Sequence, residues 1–209
     1  MSRKNIIGRL IKTGKKVVRQ GLVVAKGGNI SARAGDYMYI KTKGSMLDSP
    51  RIHDYTRVNI KTLECTGGVP SSEKYVHLAC YKERDDIRAV LHLHPVFCTA
   101  VANSKLKVKP VSYELLASLG SEIAKASYKP AGSRKLASEI AAKIKKSNAV
   151  LMPNHGVVVV AKDLETALER ALVVERACQT LVFSRMLGLP GFLPKKEARR
   201  IISLYKDQK

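Results

Sequence analysis

Three of the chain's five histidines fall in two short segments, His92 and His94 in LHLHP and His155 in NHG. Residues 89–94 read as a short strand, along which side chains alternate between faces. His92 and His94 therefore share one face, and Leu91 and Leu93 take the other. At ~3.3 Å of rise per residue their Cα atoms stand about 7 Å apart, near enough for two imidazoles to converge on one ion. Pro95 stops the ladder, which places the pair at a strand end beside a loop or helix start. His155 interrupts the apolar runs 150–152 and 157–161, and Gly156 beside it allows a close approach or a positive φ. Alone, an HxH pair reads as two partly buried histidines satisfied by backbone, and a turn histidine reads as solvated. Together they supply three ligands with a position left open, the layout of catalytic zinc. Manganese, iron and cobalt are the alternatives to zinc at such a site, and imidazole-rich ligation suits the zinc side of that set.

A carboxylate and an anion site belong beside these ligands. Ser71, Ser72 and Glu73 in PSSEK precede the amphipathic run 75–81. Serine is a good N-cap, and free N–H groups at a helix start attract anions. Glu73 reads in two ways: a solvated carboxylate complementing the helix dipole, or a metal ligand and proton acceptor. His77, one turn further on, reads as a packing residue or a support for the site. Two small-residue loops also suit phosphate. One contains Gly28 and Asn29 in KGGNIS, and the other Lys43 and Gly44 in TKGS. Neither is a Walker loop or a dinucleotide fingerprint, and Gly27-Gly28 also fits a plain turn. Cys98 reads as a packed thiol.

The chain has 209 residues, enough for one substantial core, and no linker or repeat divides it, so residues 1–209 are expected to form a single domain. The four cysteines have no CxxC spacing and read as separate buried thiols. No run is long enough to span a bilayer and no secretory segment opens the chain, which predicts a cytoplasmic protein. The net charge of +21 favours anionic partners. Its lysines and arginines are spread along the chain without a nucleic-acid-binding module. A basic nucleic-acid-binding protein is the reading from a different class; a basic stripe without a metal-lined cleft would favour it.

The elements that must position these residues follow from periodicity. Residues 3–20 form a helix closed by Gly21. Strands are expected near 29–33, 37–41 and 57–61, then a helix over 72–83 and a strand over 88–94. A helical piece runs from Pro95 to about Ala102, and residues 112–126 read as mostly helical. A helix near 133–146 leads into apolar runs at 149–152 and 157–161. The clearest helix covers about 163–187, and 195–206 forms a last one. Helices and strands interspersed around one sheet define an α/β class.

GGNIS, TKGS, PSSE, HLHP, Tyr113 and NHG, in this order, give the chain a resemblance to the class II aldolase/adducin family, in particular its fuculose-phosphate aldolase-like enzymes. The resemblance implies a three-layer α/β/α domain around a mainly antiparallel sheet. It implies a homotetramer with active sites between subunits. It also implies one Zn²⁺ per subunit held by His92, His94 and His155, with Glu73 as a ligand that leaves to act as acid and base. Gly28, Asn29, Gly44, Ser71 and Ser72 would surround the substrate phosphate. Tyr113 would reach a neighbouring subunit's site as a proton donor. Lys43 departs from the pattern, where threonine is usual, and a lysine there also suits phosphate. Adducin-like members without catalysis lack the metal histidines, so their presence here argues against a purely structural role. The implied reaction is cleavage of a ketose 1-phosphate resembling L-fuculose 1-phosphate, giving dihydroxyacetone phosphate and an aldehyde. The alternatives are a methylthioribulose-1-phosphate dehydratase and a pentulose-phosphate 4-epimerase.

Overall fold

The computed structural model describes residues 3–49, 51–106 and 108–205. Its strands are β1 (Asn29–Ala34), β2 (Tyr37–Lys41), β3 (Tyr55–Asn59), β4 (Cys65–Thr66), β5 (Ala89–Leu93), β6 (Ala124–Lys125), β7 (Ala149–Met152) and β8 (Gly156–Ala161). They make one sheet in the order β4-β3-β2-β1-β5-β8-β7-β6. Every pairing is antiparallel except β6 with β7. The helices are α1 (Arg3–Arg19), α2 (Lys74–Glu83), α3 (Val96–Asn103), α4 (Tyr113–Leu119), α5 (Arg134–Ile144), α6 (Leu164–Leu187) and α7 (Lys195–Tyr205).

The sheet is covered on both faces, which gives the three layers. Ile30, Leu91, Leu93 and Val159 pack with α1, α3, α4 and α6 in one apolar cluster. Val90, Val150, Val158 and Val160 pack with α2 and α5 in the other. The central strands are consequently apolar on both sides, and every residue of β5 and β8 is buried. His92 shares the α2 side with Val90, as alternation requires. The register sets Asn29 opposite His92, and His92 opposite Val158. One end of the β1–β5–β8 trio thus gathers Asn29, the two histidines of LHLHP and the turn that carries His155.

The expected elements form with small shifts at their ends, apart from one. Residues 112–126 are not mostly helical. The helix stops at Leu119 because Gly120 adopts φ 61, and residues 124–125 form β6, an edge strand parallel to β7. The two-residue β4 and a 3₁₀ turn over Ile52–Asp54 were also not foreseen. Gly21 closes α1 as expected, with φ 68 and its N–H on Val18 O. No described helix is long and apolar enough to cross a membrane.

α1 lies against the segment between β2 and β3 at Gly14, where an added Cβ would stand 2.0 Å from Leu47 O. That neighbour is backbone and has no rotamer to change. Gly14→Ala is therefore expected to cost at least about 2 kcal/mol. For a chain of this size that lowers Tm by roughly 4–8 °C. Calorimetry of the two proteins checks this, and an unchanged Tm would mean that α1 does not sit on Leu47.

Candidate active site

The HLHP turn is built by two neighbours. β5 ends at Leu93, His94 N donates to Leu22 O at 3.0 Å, and Pro95 begins α3. Opposite it, β7 and β8 are joined by Pro153, Asn154 and His155, with Met152 paired to Gly156. The positive φ that this turn needs falls on Asn154 (57), not on Gly156. Gly156 instead permits contact, since a Cβ there would lie 2.1 Å from Leu93 O and 3.0 Å from His94 Cδ2. The hairpin can press His155 against His92 and His94 only because that side chain is absent.

The three rings meet with centroid separations of 5.1 Å for His92–His94, 4.6 Å for His92–His155 and 5.3 Å for His94–His155. Their nearest ring nitrogens all lie within 4.8 Å of one another. Both nitrogens of His92, Nε2 of His94 and Oε2 of Glu73 are buried without any hydrogen-bond partner. Each such orphan costs ~1–3 kcal/mol when nothing compensates it. Burial lowers the pKa of all three histidines, that of His94 to about 4, so they stand as neutral imidazoles with lone pairs available. Convergent, neutral and otherwise unsatisfied nitrogens fit a borderline-soft divalent metal ion.

Glu73 is not a solvated carboxylate. It is 7% exposed, its Oε2 lies 3.6 Å from His92 Nδ1, and its side chain makes no capping bond to α2. Ser71 Oγ accepts from Glu73 N instead. Burial pushes the Glu73 carboxyl above the ordinary carboxylate range, with the Gly132 amide pulling the other way. Such a carboxyl holds a proton more readily than a solvated one, which suits a group that gives and takes protons.

Gly28, Asn29, Lys43, Gly44, Ser71 and Ser72 line one cavity of about 240 Å³ together with Glu73 and the three histidines. Gly27 and Gly28 do more than turn the chain. A Cβ on Gly27 would stand 3.2 Å from His94 Nδ1, and one on Gly28 would meet Val23 Cγ1 at 2.5 Å. Lys26 and Gly27, in the Gly-rich loop that suits phosphate, also line the cavity, and so does Lys41, which the sequence does not single out. The only signal for Lys41 is its adjacency to TKGS. A larger cavity of about 320 Å³ lies at the other end of the sheet, between α1 and the start of α6, and its lining holds none of the three histidines.

His77 supports the site from behind. It is fully buried, with Nε2 at 2.5 Å from Asn29 Oδ1 and Nδ1 at 2.7 Å from Ser31 Oγ, which in turn meets Tyr81 OH at 2.7 Å. This chain of bonds fixes Asn29 beside His92. Tyr113 lies elsewhere, outside the cavity lining. It is 45% exposed at the start of α4, and its hydroxyl bonds Tyr205 OH at 2.8 Å.

The sequence profile of the Class II Aldolase and Adducin N-terminal domain matches residues 8–182. The chain belongs to this family. It is an enzyme of the aldolase class. The L-fuculose phosphate aldolase of Escherichia coli (strain K12) is 32% identical over 179 residues, covering 86% of this enzyme and 83% of that protein. The 5-deoxy-D-ribulose 1-phosphate aldolase of Bacillus thuringiensis serovar kurstaki is 28% identical over 206 residues, 94% of this enzyme and 93% of that protein. A solved structure of an L-fuculose 1-phosphate aldolase superposes with a TM-score of 0.92 at 30% identity, covering 99% of this chain and 98% of that one.

The enzyme buries neutral imidazoles that unfolding would release to protonation. Burial holds the pKa of His77 down at about 3, against an ordinary value of 6.5. Below pH 6.5 the unfolded chain binds protons that the folded chain does not, so stability must fall with pH from there down to about 3. The loss for one such group is ~1.4 kcal/mol per pH unit, or about 2 kcal/mol by pH 5. The metal-free enzyme should melt several degrees lower at pH 5 than at pH 7. Equal melting temperatures would show that these imidazoles are not held neutral.

Proposed function

We propose that this enzyme is a zinc-dependent aldolase that cleaves a ketose 1-phosphate resembling L-fuculose 1-phosphate into dihydroxyacetone phosphate and an aldehyde. The observation that carries this reading is the set of three converging imidazoles, with buried nitrogens of His92 and His94 unpartnered, that shares a cavity with a buried carboxylate and a small-residue anion cradle. The 5-deoxy-D-ribulose 1-phosphate aldolase and the solved L-fuculose 1-phosphate aldolase named above support the substrate class.

In this reading His92, His94 and His155 hold the zinc ion, with Glu73 as a ligand that can leave. When bound, the metal acts as a Lewis acid and orienting template for the substrate's carbonyl and hydroxyl oxygens. Gly28, Asn29, Gly44, Ser71 and Ser72 take the phosphate through backbone N–H groups and short polar side chains, with Lys43 at the rim. Fixing the remote end in this way holds the reacting carbons against Glu73. Glu73 removes the proton from C3 of dihydroxyacetone phosphate during synthesis and returns it during cleavage. Tyr113 donates a proton to the aldehyde oxygen during synthesis. The hydroxyl lies outside its own cavity, which fits a donor supplied by another copy in a tetramer. A cytoplasmic setting suits the free thiols and a phosphosugar substrate.

Turnover should be followed over L-fuculose, L-rhamnulose, L-ribulose, 5-deoxy-D-ribulose and methylthioribulose 1-phosphates, with products identified. The expected outcome is zinc-dependent release of dihydroxyacetone phosphate from one of the first four, lost in His94→Ala together with most bound metal. Dehydrated methylthioribulose 1-phosphate as the sole product, or activity that survives removal of the metal, would replace this reading.

The tyrosine is tested by mixing subunits. Glu73→Gln should slow C–H exchange on dihydroxyacetone phosphate by roughly 100- to 10,000-fold, as expected for loss of a general base. Tyr113→Phe should keep zinc and assembly but impair aldol turnover. Hybrids of the two variants should regain part of the activity, because some sites then hold both residues intact. Verified hybrids without recovery would place Tyr113 in its own subunit's site or outside catalysis.

A further inference from the structure

Lys41 closes β2 and is only 3% exposed, and no step described above uses it. Its ammonium donates to Lys26 O at 2.7 Å and to Ser45 O at 3.0 Å. These carbonyls belong to the two loops that carry Gly27-Gly28 and Lys43-Gly44. One side chain thus fastens both walls of the anion cradle. An ammonium has three N–H donors, and the third meets no acceptor among the described residues.

The position of this charge has a second effect. Lys41 lines the same cavity as His92, His94 and His155, so its charge opposes further positive charge there. Glu73 is the only carboxylate in the same lining. Burying an ammonium costs several kcal/mol, and desolvation lowers its pKa to about 8, which leaves it mostly charged at pH 7. A neutral donor such as glutamine would tie two carbonyls at less cost. The charge itself therefore needs a use, and the unfilled N–H in a cavity of N–H-rich loops indicates an anion.

We propose that Lys41 is a positioning residue whose fixed charge draws the substrate's anionic group into the cradle and opposes the metal ion at the same centre. This rests on the metal and anion assignments of the proposed function. It makes a prediction of opposite signs, because fixed charges act on the two ligands separately. A residue that only held the loops together would, when removed, weaken both.

The experiment measures two binding constants at pH 7 for the unmodified protein, Lys41→Gln, Lys41→Met and Lys41→Arg. Cobalt(II) binding is read from its visible absorption without phosphate, and inorganic phosphate binding by calorimetry on the cobalt-loaded protein. Loss of a unit charge from the lining of the same cavity should shift each constant by about tenfold. Lys41→Gln and Lys41→Met should bind cobalt more tightly and phosphate more weakly, while Lys41→Arg should bind cobalt within about twofold of the unmodified protein. Both affinities falling together, or neither moving, overturns the proposal. If the uncharged variants fail to fold, the Lys41 Nζ resonance of the unmodified protein decides: phosphate must shift it and slow its N–H exchange, and an unaltered signal overturns the role. An unmodified protein that binds neither probe removes the site assignment as well. One that binds both, with constants unmoved in the variants, removes only the role of Lys41.

Discussion

Two imidazole nitrogens on His92 and one on His94 are enclosed by protein that offers them no hydrogen-bond partner. Burial keeps these rings neutral, and neutrality leaves lone pairs directed into one small volume. Much of the surrounding structure can be understood as what is needed to hold so unfavourable an arrangement. Both flanks of β5 are locked by antiparallel partners, so the backbone under His92 cannot relax away. The hairpin that brings His155 is pressed onto Leu93 by a glycine that leaves no room for a side chain. Behind the site, His77 and Ser31 hold Asn29 in place through bonds that are themselves buried.

The carboxylate is placed by a different device. α2 begins at the edge of the cavity, and its cap residue is Glu73, whose side chain turns inward and does not bond the helix amides. Segment 69–71 runs beside 41–43, joined by Lys43 N to Val69 O at 2.8 Å and Ser71 N to Lys41 O at 3.0 Å. The serines, the TKGS loop and the acid therefore move as one body. The groups proposed to bind an anion and the carboxyl proposed to transfer protons are set relative to one another by main-chain bonds, which no surface substitution can easily alter.

Much of this was legible in the sequence because it rested on local rules. Alternation put His92 and His94 on one face, and the apolar runs around NHG required an interruption there. What alternation cannot convey is partnership. Whether Glu73 was solvated or buried depended on β5, which lies about 20 residues away in sequence. Lys41 ends a run, Tyr37 to Ile40, that is apolar throughout, and its carbonyl partners lie in loops with no local mark of the bond. The helix expected over 112–126 failed for a related reason. Ala124 and Lys125 have ordinary helical propensity, but the free edge of β7 offers backbone partners, and Gly120 ends the helix before they are reached. The role of Gly156 was half read: contact, not a positive φ, makes it necessary.

The strand order has a consequence for how the chain is made. β5 pairs with β1, which precedes it, and with β8, which follows it by about 60 residues. On the ribosome, at ~5–20 residues per second, β5 spends roughly 3–12 s with one apolar edge unpaired before β8 begins to be synthesised. During that interval the segment AVLHL presents open backbone donors and acceptors on a strand buried on both faces in the finished fold. The histidine in it is polar enough to interrupt an otherwise continuous apolar edge, so the residue that fits a metal ion in the completed molecule also makes the nascent strand a poorer template for aggregation.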